Sequence, residues 1–207
     1  MQTLRTGTRE RVSARAGVNS SLSFSPDGRS LVLTLSRDTG NLDVHTLDLT
    51  SQVLRQLTTD ASIYTEATWA PDGRSIYFTS DRAGGPQIYR VGTEAGQRAQ
   101  RITFECTYCA RPRMSPDGSK IAVVFGQNNT YRIGVVETAT GALQILTNGR
   151  LDESPSFAPN GAQIIYATRE GNRGVLASVS VDGRFKTQIA SVAGDVREPA
   201  WGPFPRP

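Results

Sequence analysis

His45 is the only histidine in this chain of 207 residues, so a serine–histidine–carboxylate site would have to be built on it. It stands in Asp43-Val44-His45, the place that Gln87-Ile88-Tyr89 fills further along, and a position shared with tyrosine reads as structural. Asp152-Glu153 and Glu198 are the carboxylates that could serve paired acid–base chemistry on a glycoside, provided the fold brings them together. Asp27, Asp72 and Asp117 recur at a regular interval and could act as ligands or catalysts. Each is followed by glycine and preceded by proline, though, and turn chemistry alone accounts for that spelling. Cys106 and Cys109 form a C-x-x-C with no second pair and no clustered histidine. That is at most half a zinc site, which leaves a local disulfide or two free thiols. No G-x-S-x-G elbow, Walker loop or Rossmann glycine pattern occurs.

The elements that must carry these residues are set by a repeat. Ser25-Pro26-Asp27-Gly28, Ala70-Pro71-Asp72-Gly73, Ser115-Pro116-Asp117-Gly118 and Ala158-Pro159-Asn160-Gly161 follow one another at 43 to 45 residues, and Trp201-Gly202-Pro203 begins a fifth copy. Proline presets the second position of a tight turn, Asp or Asn suits the third, and glycine takes the left-handed conformation that closes a short hairpin. A period of roughly 40 to 45 residues is that of a four-stranded propeller blade. Apolar runs such as Leu31-Val32-Leu33, Ile76-Tyr77-Phe78 and Ile164-Ile165-Tyr166 are continuous, as strands covered on both faces require. No stretch carries sustained helical periodicity.

The expected fold class is therefore all-β: an incomplete β-propeller of about four and a half four-stranded blades. Residues 1–14 are read as the end of one blade, 15–60, 61–105, 106–150 and 151–193 as whole blades, and 194–207 as a closing inner strand. Within 1–14, two short strands, 2–4 and 10–12, flank a Thr6-Gly7-Thr8 turn, and Asp38-Thr39-Gly40-Asn41 supplies a turn in the first full blade. Such an arc is expected to leave apolar faces open at its two ends.

The formal charge of +4 resides in the first 37 residues, where six arginines face Glu10 and Asp27. No aromatic interleaves those arginines before Phe24, so a nucleic-acid platform is not expected. No apolar run reaches the roughly 20 residues of a membrane span, and residues 1–12 hold Arg5, Arg9 and Arg11 with no apolar segment behind them, unlike a secretory signal.

In a propeller, every loop leading into an inner strand lies on one face and rings the axis. Three residues before the last inner-strand residue stand Ser21, Glu66, Arg111, Ser154 and Glu198; four before stand Ser20, Thr65, Ala110, Glu153 and Arg197. With Val18, Asn19, Tyr64, Tyr108 and Asp152 nearby, they form a mixed polar rim. Loops on a rigid scaffold are where binding residues concentrate.

Phe24-Ser25-Pro26-Asp27-Gly28-Arg29-Ser30-Leu31, the stretch from Leu151 to Gly161, Ser180 to Lys186, and Arg197-Glu198-Pro199-Ala200-Trp201 together resemble the C-terminal propeller of the TolB family, periplasmic components of the Tol-Pal envelope system. The resemblance implies a six-bladed propeller, of which this chain lacks the first blade and a half, and a separate N-terminal α/β domain, which it also lacks. It implies a non-catalytic, cofactor-free role in the periplasm: docking the peptidoglycan-associated lipoprotein Pal, with other Tol components or colicin-like peptides as further partners. The rim residues Val18, Asn19, Ser21, Tyr64, Thr65, Glu66, Tyr108, Arg111, Asp152, Glu153, Arg197 and Glu198 are the expected contacts. The competing expectation is a propeller attached to a hydrolase of the prolyl-oligopeptidase type, whose repeats are similar.

Overall fold

The computed structural model describes residues 1–3, 5–12, 17–36, 41–59, 62–94, 96–189 and 194–202. Leu4, the turn residues Asp38, Thr39 and Gly40, and Pro203 lie outside the described residues. Among the described residues, sixteen strands follow in four antiparallel sets of four. The first is β1 (Asn19–Phe24), β2 (Ser30–Ser36), β3 (Leu42–Asp48) and β4 (Leu54–Gln56); the second is β5 (Tyr64–Trp69), β6 (Ser75–Ser80), β7 (Gln87–Gly92) and β8 (Gln100–Arg101). The third is β9 (Tyr108–Met114), β10 (Lys120–Gln127), β11 (Thr130–Glu137) and β12 (Leu143–Ile145); the fourth is β13 (Glu153–Phe157), β14 (Gln163–Glu170), β15 (Arg173–Ser180) and β16 (Lys186–Ile189). Strands are hydrogen-bonded in chain order within each sheet, the up-and-down pattern of a propeller blade.

The recurring turns do the work expected of them. Gly28, Gly73, Gly118 and Gly161 all have φ between 68° and 75°. The preceding carboxylate or amide caps its own turn: Asp27 accepts from Ser25 Oγ at 2.6 Å and from the Arg29 amide at 3.0 Å, and Asn160 accepts from the Ala162 amide at 3.0 Å. These aspartates are therefore turn parts, and Asp27 and Asp182 are held below the usual carboxylate range first by the serine hydroxyl two residues back.

The outer strands β4, β8 and β12 are only two or three residues long. A threonine intervenes: Thr58, Thr103 and Thr147 each use Oγ1 to accept the amide of Val44, Ile88 or Ile133 at 2.9 to 3.0 Å, so a side chain replaces the next rung of the ladder.

Apolar side chains from neighbouring sheets make the core, as a blade that cannot cover its own faces requires. Val32 and Val44 of the first sheet pack with Ile76, Phe78 and Tyr89 of the second. Tyr77 and Ile88 pack with Ile121, Val123 and Val136 of the third, and Val124, Ile133 and Val135 with Ile164, Tyr166 and Val179 of the fourth. Among the described residues the fourth sheet does not pack on the first, so the four blades form an open arc.

Three expectations change. The first blade does not expose an apolar face: Leu31, Leu33, Leu35 and Leu47 are all buried, with Leu54 against them. At the other end Ile165 and Leu176 are half-buried, and Val196, whose amide donates to the Gly174 carbonyl at 3.2 Å, lies along that sheet. Residues 194–202 form no strand. A strand needs a ladder partner, and among the described residues this segment is held instead by the Val196 bond, the Asp195 carboxylate on the Gly174 amide, the Trp201 amide on Ser156 Oγ at 3.0 Å and the Arg111–Glu198 pair. At the start, Gln2 and Arg9 form one bridge around Gly7 in place of two strands.

Candidate functional site

Each inner strand is bulged at the same place. The register of β1, β5, β9 and β13 against its neighbour shifts between Ser20 and Ser23, Thr65 and Thr68, Ala110 and Arg113, and Glu153 and Ser156. The displaced residues Ser21, Glu66, Arg111 and Ser154 have φ of 55°, 58°, 55° and 53°, and Glu198 repeats the conformation at 51°. None is glycine. Left-handed backbone at a side-chain-bearing residue costs roughly 1–3 kcal/mol and persists only where the surroundings impose it.

The imposed contact is visible. The Glu66 amide donates to Ser21 Oγ at 3.2 Å, and the Arg111 amide donates to Glu66 Oε2 at 3.0 Å and to Thr79 Oγ1 at 3.1 Å. The bulged amides of Glu66 and Arg111 are thus each satisfied by the equivalent side chain one blade earlier. Arg111 carries only donors and turns its guanidinium across the channel instead. Its Nε lies 2.8 Å from Glu66 Oε1, and Nη1 donates to Ser154 Oγ at 2.6 Å and stands 3.8 Å from Glu198 Oε1. A cavity of about 460 Å³ opens between these residues.

Two residues further along each inner strand, and along the 194–202 segment, a second ring faces the same channel: Ser23, Thr68, Arg113, Ser156 and Ala200. Arg113 donates to the carbonyl of Pro112 at 2.9 Å and has no carboxylate within ion-pair distance among the described residues. It keeps an exposed surface because the channel is open, yet the walls surround it. That burial lowers its basicity, with Glu66 opposing and Arg111 adding to the shift.

The expected rim residues divide. Ser21, Glu66, Arg111 and Glu198 meet at the channel. Thr65 and Glu153 are half-buried neighbours, Val18 is 50% exposed, and Asn19 folds back on the Gly17 carbonyl. Tyr108 is half-buried edge-on against Tyr131 at 5.4 Å; burial, with Glu66 next, raises its hydroxyl pKa. Arg197 is exposed and pairs with Asp195 at 3.7 Å.

Tyr64 and Asp152 do not belong to an accessible rim. Tyr64 is fully buried against Phe78 at 5.5 Å and accepts from Arg82 Nη2 at 2.7 Å. Asp152 is 1% exposed and accepts from Thr168 Oγ1 and from the Gly149 amide. Both begin or precede an inner strand and point inward to the sheet packing. The second ring escaped notice, although the period-two alternation of a strand would place it two residues past the first.

His45 is fully buried in β3, opposite Leu33 as Tyr89 is opposite Phe78. Cys106 and Cys109 form a disulfide, which decides between the two states left open by their spacing. Among the described residues no group of three or more His, Cys, Asp or Glu is placed to hold a metal, and no helix is long and apolar enough to cross a membrane.

Comparison with known proteins fits this geometry. The chain is 52% identical over 93 residues to the Tol-Pal system protein TolB of Xanthomonas campestris pv. campestris (strain B100), an alignment that covers 44% of this chain and 21% of that protein. The crystal structure of TolB from Acinetobacter baumannii superposes on 98% of the chain with a TM-score of 0.90 and 46% identity, and the chain spans 50% of that structure's length. A putative TolB from Agrobacterium tumefaciens superposes with a TM-score of 0.86 at 20% identity, over 98% of this chain and 72% of that one, and shares the fold. The family model described as the TolB beta propeller domain matches residues 1–205, and the chain belongs to that family.

Proposed function

We propose that this chain is a non-catalytic docking propeller of the Tol-Pal system, acting in the periplasm, which receives a Pal-like lipoprotein on the rim around its channel and so supports outer-membrane integrity. The observation that carries the reading is the convergence of strained, side-chain-bearing backbone on that rim. Five equivalent residues hold left-handed conformations and present Glu66, Arg111 and Glu198 to one opening. Strain of this kind gathers where a fixed constellation is needed. In the segments that lead into the inner strands, Val18, Ile63 and Phe104 are 50%, 53% and 67% exposed. Apolar anchors beside a few charged groups are what a protein partner uses. The relatives named Tol-Pal system protein supply the system to which such a partner would belong.

The test is calorimetric titration of the full chain with a soluble, lipid-free Pal-like lipoprotein. Binding should weaken at least roughly ten-fold in the Thr65→Ala/Glu66→Ala double variant, the loss of one charge-assisted contact. Glu66→Gln, whose one carbonyl oxygen can still accept from the Arg111 amide and Thr79 Oγ1 while the ion pair with Arg111 Nε is lost, separates loss of charge from loss of the bulge. No binding by the wild-type chain, or equal binding by the double variant, would discard the docking role.

A further inference from the structure

The channel has a second opening of a different character. Beyond the Ser23–Thr68–Arg113–Ser156 ring, a cavity of about 280 Å³ is lined by Phe24, Trp69, Met114 and Phe157. The four ring residues line this cavity as well as the larger polar one, so they form the waist between the two. Phe24 is 50% exposed, and Trp69 and Met114 are half-buried, which leaves a concave apolar surface open to solvent. Trp69 is fixed by donation from Nε1 to the Ser23 carbonyl at 3.2 Å. Glu66 is occupied by Arg111, whereas Arg113 has a guanidinium without a carboxylate partner at the inner end of that apolar cavity. An unpaired cation flanked by three hydroxyl-bearing side chains is the arrangement that receives an oxyanion, and the walls beyond it are apolar.

We propose that this end of the channel binds a small carboxylate with an apolar chain, such as a medium-chain fatty acid, its carboxylate on Arg113 and its hydrocarbon against Phe24, Trp69, Met114 and Phe157. The site lies past the waist from the rim and does not depend on partner docking there. Small-molecule sites combine an apolar lining with a few polar groups that fix orientation, and this cavity matches that description.

The chain has two tryptophans, Trp69 and Trp201. Replacing Trp201 by Phe leaves emission from Trp69 alone, which touches the proposed hydrocarbon. Octanoate should then change that emission saturably, and octylamine and octanol, of equal chain length, should bind at least roughly ten-fold more weakly, as loss of a charge-assisted hydrogen bond dictates. Arg113→Gln should weaken octanoate by the same factor and leave octanol unchanged, while Arg113→Lys keeps most of the affinity. Equal binding of octanoate and octanol to the Trp201→Phe protein would show an apolar crevice with no carboxylate site. A response that never saturates, or one that survives Arg113→Gln, would overturn the proposal as well. The comparison of the three ligands needs no Arg113 variant, so it stands whether or not those variants fold.

Discussion

Asp117 accepts from Ser115 Oγ at 2.6 Å, from the Ser119 amide at 3.1 Å and from Ser119 Oγ at 2.8 Å, and this set, led by the Ser115 hydroxyl, lowers its pKa to about 2 from an unfolded value of 3.8. A carboxylate depressed by folding adds stability that is complete above the unfolded pKa and disappears as pH falls through the folded one. Asp117→Asn is therefore expected to cost stability at pH 5 to 7 and to cost progressively less between about pH 4 and about pH 2, as measured by urea midpoints at each pH. Asn160, at the equivalent turn, shows that an amide can cap the hairpin without titrating. The role of these aspartates was legible in the sequence because proline, aspartate and glycine have fixed preferences in turns. The burial of Tyr64 and Asp152 was not: both sit at the edge of a loop, and only the packing of Phe78 and the reach of Thr168 decide which way they face.

At the scale of the element, the hairpin glycines and the inner-strand bulges both use left-handed backbone, but only the first is written in residue type. Gly118 has φ of 75°, and a Cβ there would meet Pro71 at 3.6 Å, an ordinary contact. The cost of Gly118→Ala is thus conformational, about 1–3 kcal/mol by chemical denaturation, with strands β9 and β10 otherwise intact. The bulges are occupied by Ser, Glu, Arg, Ser and Glu, a set with no shared propensity, and at Glu66 and Arg111 a hydrogen bond to a side chain of the preceding blade supports the conformation. That is why the four blades could be laid out from the sequence while the bulges at their centre could not. The shortened outer strands have a comparable origin in threonine side chains that mimic a ladder carbonyl.

For the whole molecule, stability resides in the seams between blades. Phe78 is fully buried in the seam of the first two, 5.5 Å from the Tyr64 ring and 6.1 Å from that of Tyr89. Phe78→Ala should cost about 3–5 kcal/mol. Hydrogen exchange should accelerate first in β1–β8 and last in β13–β16, since contacts in such an array are between nearest neighbours. Uniform acceleration across all four sheets would contradict that picture. The seams carry a direction too. The amides of Glu66, Arg111 and Trp201 donate to side chains of Ser21, Glu66 and Ser156, each about 45 residues nearer the N-terminus. A polypeptide emerging N-terminus first presents each of these three acceptors before the amide that needs it, so assembly can proceed vectorially, each new unit closing on one already in place.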